Sequence, residues 1–349
     1  MTATYIIQFG YNFAVVGPVM LIPLMARSFG ANSATIGLIV ATYQAVIFLS
    51  SGLFGRLSDV KGHKLFIVVG LLLAAGTLFA HRYITNVPSA YLIRALTGLA
   101  VGIFPAAVVA YASRQTENLG RFSGIGSLGW GVGSIVAGLI AVYNHLFLLA
   151  AGVFLITAVV ALIAIPESRE RLNQPFLNTQ VIKRNWRVYF SFFLRHAGAT
   201  GIWAIYPLYL SQLGASNFWI GIIYAINAFG QFAFMSFIDR YKTRLLIQLG
   251  FISSVVTFVS FAFCRNYKQL LPLQVILAFA WSCLYVGSLK YLIEHNEERS
   301  TAVGMFNSTL SLSGIVGAVL GGALAVFGLP VVMLAAAALS IAGVFLFRF

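Results

Sequence analysis

Apolar residues run in blocks of about 20 along nearly the whole 349-residue chain, separated by short polar stretches. A block of that length, wound as an α-helix, crosses a hydrocarbon core of about 30 Å. Twelve such blocks are predicted, over 4–28, 33–55, 64–81, 88–112, 122–143, 146–165, 187–212, 217–238, 244–264, 269–292, 301–327 and 329–347. Strands of a membrane β-barrel would be about ten residues long and alternate in polarity, which these blocks do not. The pattern predicts an all-α membrane protein with twelve transmembrane helices.

Composition agrees with lipid as the solvent. The chain is 60% hydrophobic and 9% charged, against about a quarter charged in soluble domains. A net charge of +14 raises nucleic acid as a partner, but the placement of the charge argues otherwise. With the N-terminus inside, sixteen of the 22 Lys and Arg residues fall on the cytoplasmic side, only Arg27, Arg82, Arg265 and Lys268 fall outside, and Arg94 and Arg195 lie within spans. This asymmetry predicts a multi-pass protein of the cytoplasmic membrane with both termini cytoplasmic and no nucleic-acid partner. Met1 precedes the first span by a few residues, without a basic leader region or a clear cleavage site, so the first helix is expected to stay. Cys264 and Cys283 fall at different depths and are not expected to pair.

The chain repeats itself. Residues 22–39 (IPLMARSFGANSATIGLI) align without gaps on 206–223 (YPLYLSQLGASNFWIGII), sharing Pro23/Pro207, Gly30/Gly214, Ala31/Ala215 and Gly37/Gly221 at a separation of 184 residues. Further on, FGRLSDVKGHKLFIVVG from Phe54 aligns on FMSFIDRYKTRLLIQLG from Phe234 at a separation of 180, pairing Asp59 with Asp239 and Lys64 with Arg244. The difference is about one helical turn. The expected organisation is two parallel repeats, residues 1–165 and 187–349, joined by a polar, basic cytoplasmic linker over 166–186.

Between the second and third blocks, GRLSDVKGHK packs an acid, a glycine and basic residues into one connection. It resembles the signature loop of the major facilitator superfamily, G-x-x-x-D-(R/K)-x-G-(R/K)-(R/K). Gly55, Asp59, Gly62 and Lys64 match, whereas Val60 replaces a basic residue. The second half keeps Asp239, Arg240 and Arg244 without either glycine. The resemblance implies two pseudo-symmetric six-helix bundles and a gating role for these seven residues, with Asp59 latching the halves on the cytoplasmic side. RALTGLAVG from Arg94 is similar to the R-x-x-x-G-x-x-x-G pattern of the family's fourth helix.

An ionisable side chain at mid-membrane depth costs about 2.5–3.5 kcal/mol on insertion scales, so each one marks a candidate site. Arg195 is expected roughly 13 Å from the start of its helix, near the midplane, with His196 beside it and Trp203 farther along. Together with Arg94, Asn12, Gln44, Trp130, Asn227, Trp281 and Asn307, these residues are the expected substrate contacts in a wet central cavity. All eight acids fall in turns or linkers, so the cavity is expected to be electropositive and suited to an anionic or polar organic solute. The predicted activity is alternating-access transport of a small molecule by a monomer in the bilayer, with a coupling proton or a counter-substrate. A broad-specificity multidrug or metabolite exporter is the alternative within transporters. An intramembrane enzyme is the alternative outside them, but no catalytic motif or metal-ligand spacing is present and no cofactor is implied.

Overall fold

The computed structural model describes residues 2–115, 119–140, 142–166, 179–296 and 299–347. Among these residues the chain forms thirteen α-helices and no strand. They are α1 (Thr2–Ser28), α2 (Ser33–Lys61), α3 (His63–Ala80), α4 (Val87–Ile103), α5 (Pro105–Gln115), α6 (Leu119–Ile140) and α7 (Tyr143–Ala164), followed by α8 (Thr179–Gln212), α9 (Asn217–Met235), α10 (Thr243–Ala262), α11 (Leu270–Glu294), α12 (Arg299–Leu324) and α13 (Leu329–Phe347). Among the described residues eleven stretches of helix are long and apolar enough to cross a membrane. The predicted seventh span falls in α8, which is absent from those eleven. Its first turns hold Lys183, Arg184 and Arg187, and Arg195 and His196 follow, which lowers its apolar character. Leu155, Ile156, Leu162 and Ile163 leave α7 exposed along one side, as a lipid-facing helix requires.

Three expected boundaries move. The fourth predicted span, 88–112, breaks at Phe104 into α4 and α5. Pro105 has no N–H for the Val101 carbonyl, so the helical hydrogen-bond ladder is interrupted there. The signature connection is mostly helix, because α2 runs through Asp59 to Lys61 and only Gly62 interrupts it before α3. Gly62 has φ 100°, a conformation open to glycine and strained for other residues. The expected linker also shortens, since α8 begins at Thr179, and 167–178 lie outside the described residues.

The repeat is visible in the backbone. Helix α1 ends at Ser28 and α8 at Gln212, while α2 begins at Ser33 and α9 at Asn217, each pair 184 residues apart. The two turns close alike. Gly30 and Gly214 take φ 82° and 86°, and the next residue's N–H reaches back across the helix end, Ala31 to the Ala26 carbonyl at 3.1 Å and Ala215 to the Leu210 carbonyl at 3.0 Å. This left-handed cap satisfies carbonyls that would otherwise lack partners.

The chain divides into two units, one of Met1–Ala31, Thr42–Gln174 and Ser216–Phe229, the other of Asn32–Ala41, Pro175–Ala215 and Gly230–Phe349. In the first unit α1 packs on α6 and α7, and α3 on α4 and α7. In the second, α8 packs on α12 and α13, and α10 on α11 and α13. These are the same four packings under the repeat alignment. The first unit's core centres on Tyr11, Phe104 and Phe154, whose rings meet edge to face. The second centres on Phe192, Phe306, Trp281 and Tyr285.

Each unit also takes one segment from the other half of the sequence. In the second unit, a Cβ added to Gly37 would lie 2.6 Å from the Ala318 carbonyl oxygen and 2.7 Å from Gly322 Cα. In the first, a Cβ on Gly138 would lie 2.7 Å from the Asn217 carbonyl oxygen and 3.2 Å from Gly221 Cα. Gly37 and Gly221 are the aligned glycines of the repeat, and Gly138 and Gly322 stand the same 184 residues apart. Backbones this close exclude any larger side chain at the crossing.

Candidate functional site

Arg195 is among the largest fully buried side chains of the protein. It projects from the middle of α8 into the second unit, where its Nε donates to Ser254 Oγ of α10 at 2.9 Å. The Ser254 hydroxyl in turn donates to the Gly250 carbonyl at 2.6 Å, which fixes its lone pairs toward the arginine. Two rings wall the guanidinium, Phe258 at 5.3 Å and Trp281 at 5.6 Å from its carbon to their centroids. Each such contact contributes about 0.5–2 kcal/mol, more when desolvated. Nη2 is buried with no hydrogen-bond partner in the structure. A buried cation with an unused donor is a site for an acceptor.

His196 stands beside it, partly buried, its ring 5.0 Å from Trp281 and 5.6 Å from Phe192. Its Nδ1 is also buried without a partner. The ring series continues from Trp281 to Tyr285 at 5.4 Å and from Tyr285 to Phe306 at 5.8 Å, drawing α8, α11 and α12 together. Farther along α8, Ala199 and Trp203 pack with Tyr206, Phe258 and Phe261, leaving no space for a water molecule. Trp203, expected in a wet cavity, thus lies in a closely packed and mostly apolar place.

The other expected contacts are distributed between the units. Asn307 is exposed on α12 of the second unit. In the first unit Arg94 is buried, its guanidinium 3.6 Å from the centroid of the Tyr43 ring. Asn12 donates to the Gln8 carbonyl of its own helix at 2.8 Å, and both amides lie against Gly126 of α6. Gln44 is partly buried, Trp130 packs against that unit's core, and Asn227 is buried. The structure thus groups Arg195, His196 and Trp281, and keeps Arg94 with Tyr43 in a separate cluster. Ser254, Phe258 and Phe192 complete the group around Arg195 without having been singled out in the sequence. Ser254 stands among Ser253, Thr257 and Ser260 on the same helix, so the sequence offered no signal that singles it out.

Among the expected gating residues, Gly55 and Lys64 are partly buried and Gly62 is buried. Arg240 is exposed in the short turn Ile238–Arg240, over Phe237 and Tyr241, and Arg244 is exposed at the start of α10. Asp59 lies near the end of α2 and Asp239 in that turn, but their side chains are not among those the structure describes.

The family model described as Major Facilitator Superfamily matches residues 4–191 and 188–349, nearly the whole chain. The chain belongs to the major facilitator superfamily. It is a multi-pass membrane protein of a transporter family. Among curated superfamily members it is 23% identical over 93% of its length to the quinolone resistance protein NorA of Staphylococcus aureus (strain COL), covering 89% of that protein. It is 22% identical to an uncharacterized MFS-type transporter of Methanocaldococcus jannaschii, with 92% and 89% covered. Among solved structures it resembles the nucleoside transporter NupG, with a TM-score of 0.83 at 18% identity over 99% of this chain and 98% of that one. It also resembles the human organic anion transporter MFSD10, with a TM-score of 0.79 at 12% identity and the same coverage. These likenesses establish the superfamily fold.

Proposed function

We propose that this superfamily member is a secondary transporter, not an enzyme, that moves a small organic solute with anionic or polar groups across the cytoplasmic membrane by alternating access. In this reading twelve helices span the bilayer as two pseudo-symmetric six-helix bundles, residues 1–165 and 187–349, with both termini cytoplasmic. The protein works as a monomer, and a proton or a counter-substrate drives it. The observation that carries the solute class is Arg195, a buried cation with an unused Nη2 donor and with Ser254 as its hydrogen-bond partner at 2.9 Å. The acids nearest in sequence on the packed helices α10 and α11 are Asp239, before α10 begins, and Glu294, at the last residue of α11. The solute's own acceptor would complete the arginine.

The test is uptake into proteoliposomes with a panel of solutes graded in charge. Arg195→Ala should reduce transport of the preferred solute roughly tenfold to a hundredfold, the range expected for losing a charged hydrogen bond, and Arg195→Lys should restore part of it. Unchanged uptake by Arg195→Ala would remove the residue from the site. A second reading rests on the likeness to NorA and on the ring series of Phe192, Trp281, Tyr285 and Phe306. A polyspecific exporter would use these surfaces for apolar compounds, and its transport would follow solute hydrophobicity and survive Arg195→Ala.

A further inference from the structure

Arg195 and His196 are neighbours in sequence, and each keeps a buried nitrogen without a hydrogen-bond partner, Nη2 on the guanidinium and Nδ1 on the imidazole. One indole holds both. The guanidinium carbon lies 5.6 Å from the Trp281 ring centroid, and the imidazole centroid lies 5.0 Å from the same ring at a tilt of 30°. The charge of the guanidinium reaches the imidazole. Arg195 is 2% exposed whereas His196 is only partly buried, so the histidine is the member of the pair with open surface.

A guanidinium nitrogen can only donate, and both imidazole nitrogens donate once the ring is protonated. Two cations on adjacent residues repel in a poorly solvated place. An anion beside the indole offsets the second positive charge and offers acceptors to both nitrogens. Proton and anion then favour each other, and by linkage each strengthens the binding of the other by the same factor. The surroundings supply no competing charge. α11 brings Trp281 and the phenol of Tyr285, the other titratable side chain of the ring series, while α12 brings Phe306 and α10 brings Ser254 and Phe258. Among the described residues, the charges of these helices stand at their ends. They are Arg244 at the start of α10, Lys290 and Glu294 late in α11, where they pair at 4.0 Å, and Arg299 at the start of α12. α13 has none, and on α8 itself Arg187 lies about two turns before the pair.

We propose that His196 binds the proton that travels with an anion held at Arg195, so that solute and proton cross in the same direction. This rests on Arg195 as the anion site, and it makes the driving partner a proton. The proton enters from the water on the side where the anion binds, leaves with it on the other, and returns the ring to its neutral form. Benzenesulfonate is the probe, because it pairs a ring for the indole with a group that stays ionised where histidine titrates, so any proton taken up goes to the protein. Added to the intact protein in weakly buffered detergent at pH 6, it should draw in about one proton per molecule bound, read with a pH indicator against calorimetric binding. Its dissociation constant should be roughly tenfold higher at pH 8 than at pH 6, the range over which a histidine changes charge. In His196→Gln the proton uptake should disappear, and the dissociation constant should vary less than about twofold over the same range. His295→Gln, which removes an exposed histidine just after α11, should behave as the parent. Circular dichroism and size exclusion verify folding, with His196→Asn as the second variant.

Benzenesulfonate bound without proton uptake would overturn the proposal and leave the anion site standing. Proton uptake that survives in both His196 variants would overturn it by assigning the proton to another group. Equal uptake with uncharged benzenesulfonamide would overturn it too, since the anion's charge would then play no part. No binding by the parent, or equal binding by Arg195→Ala, would remove the anion site and the proposal with it.

Discussion

A guanidinium held in hydrocarbon between two rings and one serine hydroxyl depends on that serine. Among the described residues Ser254 is the hydrogen-bond partner of Arg195, and its own proton is committed to Gly250. Removing it leaves Nε with no acceptor, so Ser254→Ala should cost about 1.5–3 kcal/mol, the range for hydrogen bonds to charged groups. A thermal-denaturation series in detergent would show this as a lowered midpoint, and a midpoint equal to that of the parent protein would contradict it. Arg195, His196 and Trp281 were legible in the sequence because a charge or an indole within an apolar span stands out. Ser254 and Phe258 were not, since a serine and a phenylalanine on an apolar helix read as ordinary packing. Their approach to Arg195 depends on the rotation of α10 against α8, which no local pattern encodes. The same limit explains why the approach of Asn12 and Gln8 to Gly126 was not legible in the sequence.

Helices were legible in position wherever apolar runs were bounded by turn residues, and less so where polar residues entered helical turns or a proline broke a run. Asp59 belongs to the end of α2 because no glycine or proline precedes Gly62 closely enough to stop the helix. The corresponding connection in the second half has no left-handed glycine. It unwinds instead through the short turn Ile238–Arg240, and Lys242 enters α10 at φ −64°. One connection is therefore a single fixed hinge residue and the other a looser turn. This sharpens the expectation that Asp59→Ala impairs transport more than Asp239→Ala, by roughly tenfold against less than threefold if Asp59 alone makes charge-assisted contacts of about 1.5–3 kcal/mol. Initial uptake rates at matched protein density measure it, and equal losses would refute the asymmetry. The break at Phe104 could have been read from Pro105, but the apolar run continues through it and hydropathy alone joins α4 to α5.

At the scale of the molecule, the repeat found by aligning 22–39 on 206–223 recurs in the backbone there and in helix packings well outside the aligned stretch. The same caps, helix ends and four packings recur. What sequence alone did not convey is that each compact unit includes a segment from the opposite half, 32–41 in one and 216–229 in the other. Chain connectivity suggests division at the linker, whereas packing places Gly37 against Gly322 and Gly221 against Gly138. A valine at either crossing forces the helices apart, a strain of about 1–3 kcal/mol. Gly37→Val and Gly221→Val should therefore depress transport to similar extents, which proteoliposome uptake and the thermal midpoint would both register. A loss confined to one would break the equivalence of the two crossings.

The exchange also sets an order of events during synthesis. Residues 32–41 are made early and wait for a unit whose remaining segments begin at Pro175. The first unit, despite holding most of the early chain, stays one helix short until residue 229 has emerged. Polypeptides truncated between 175 and 215 should accordingly leave the ribosome with the Gly138 face uncovered, available to membrane chaperones and proteases until α9 arrives.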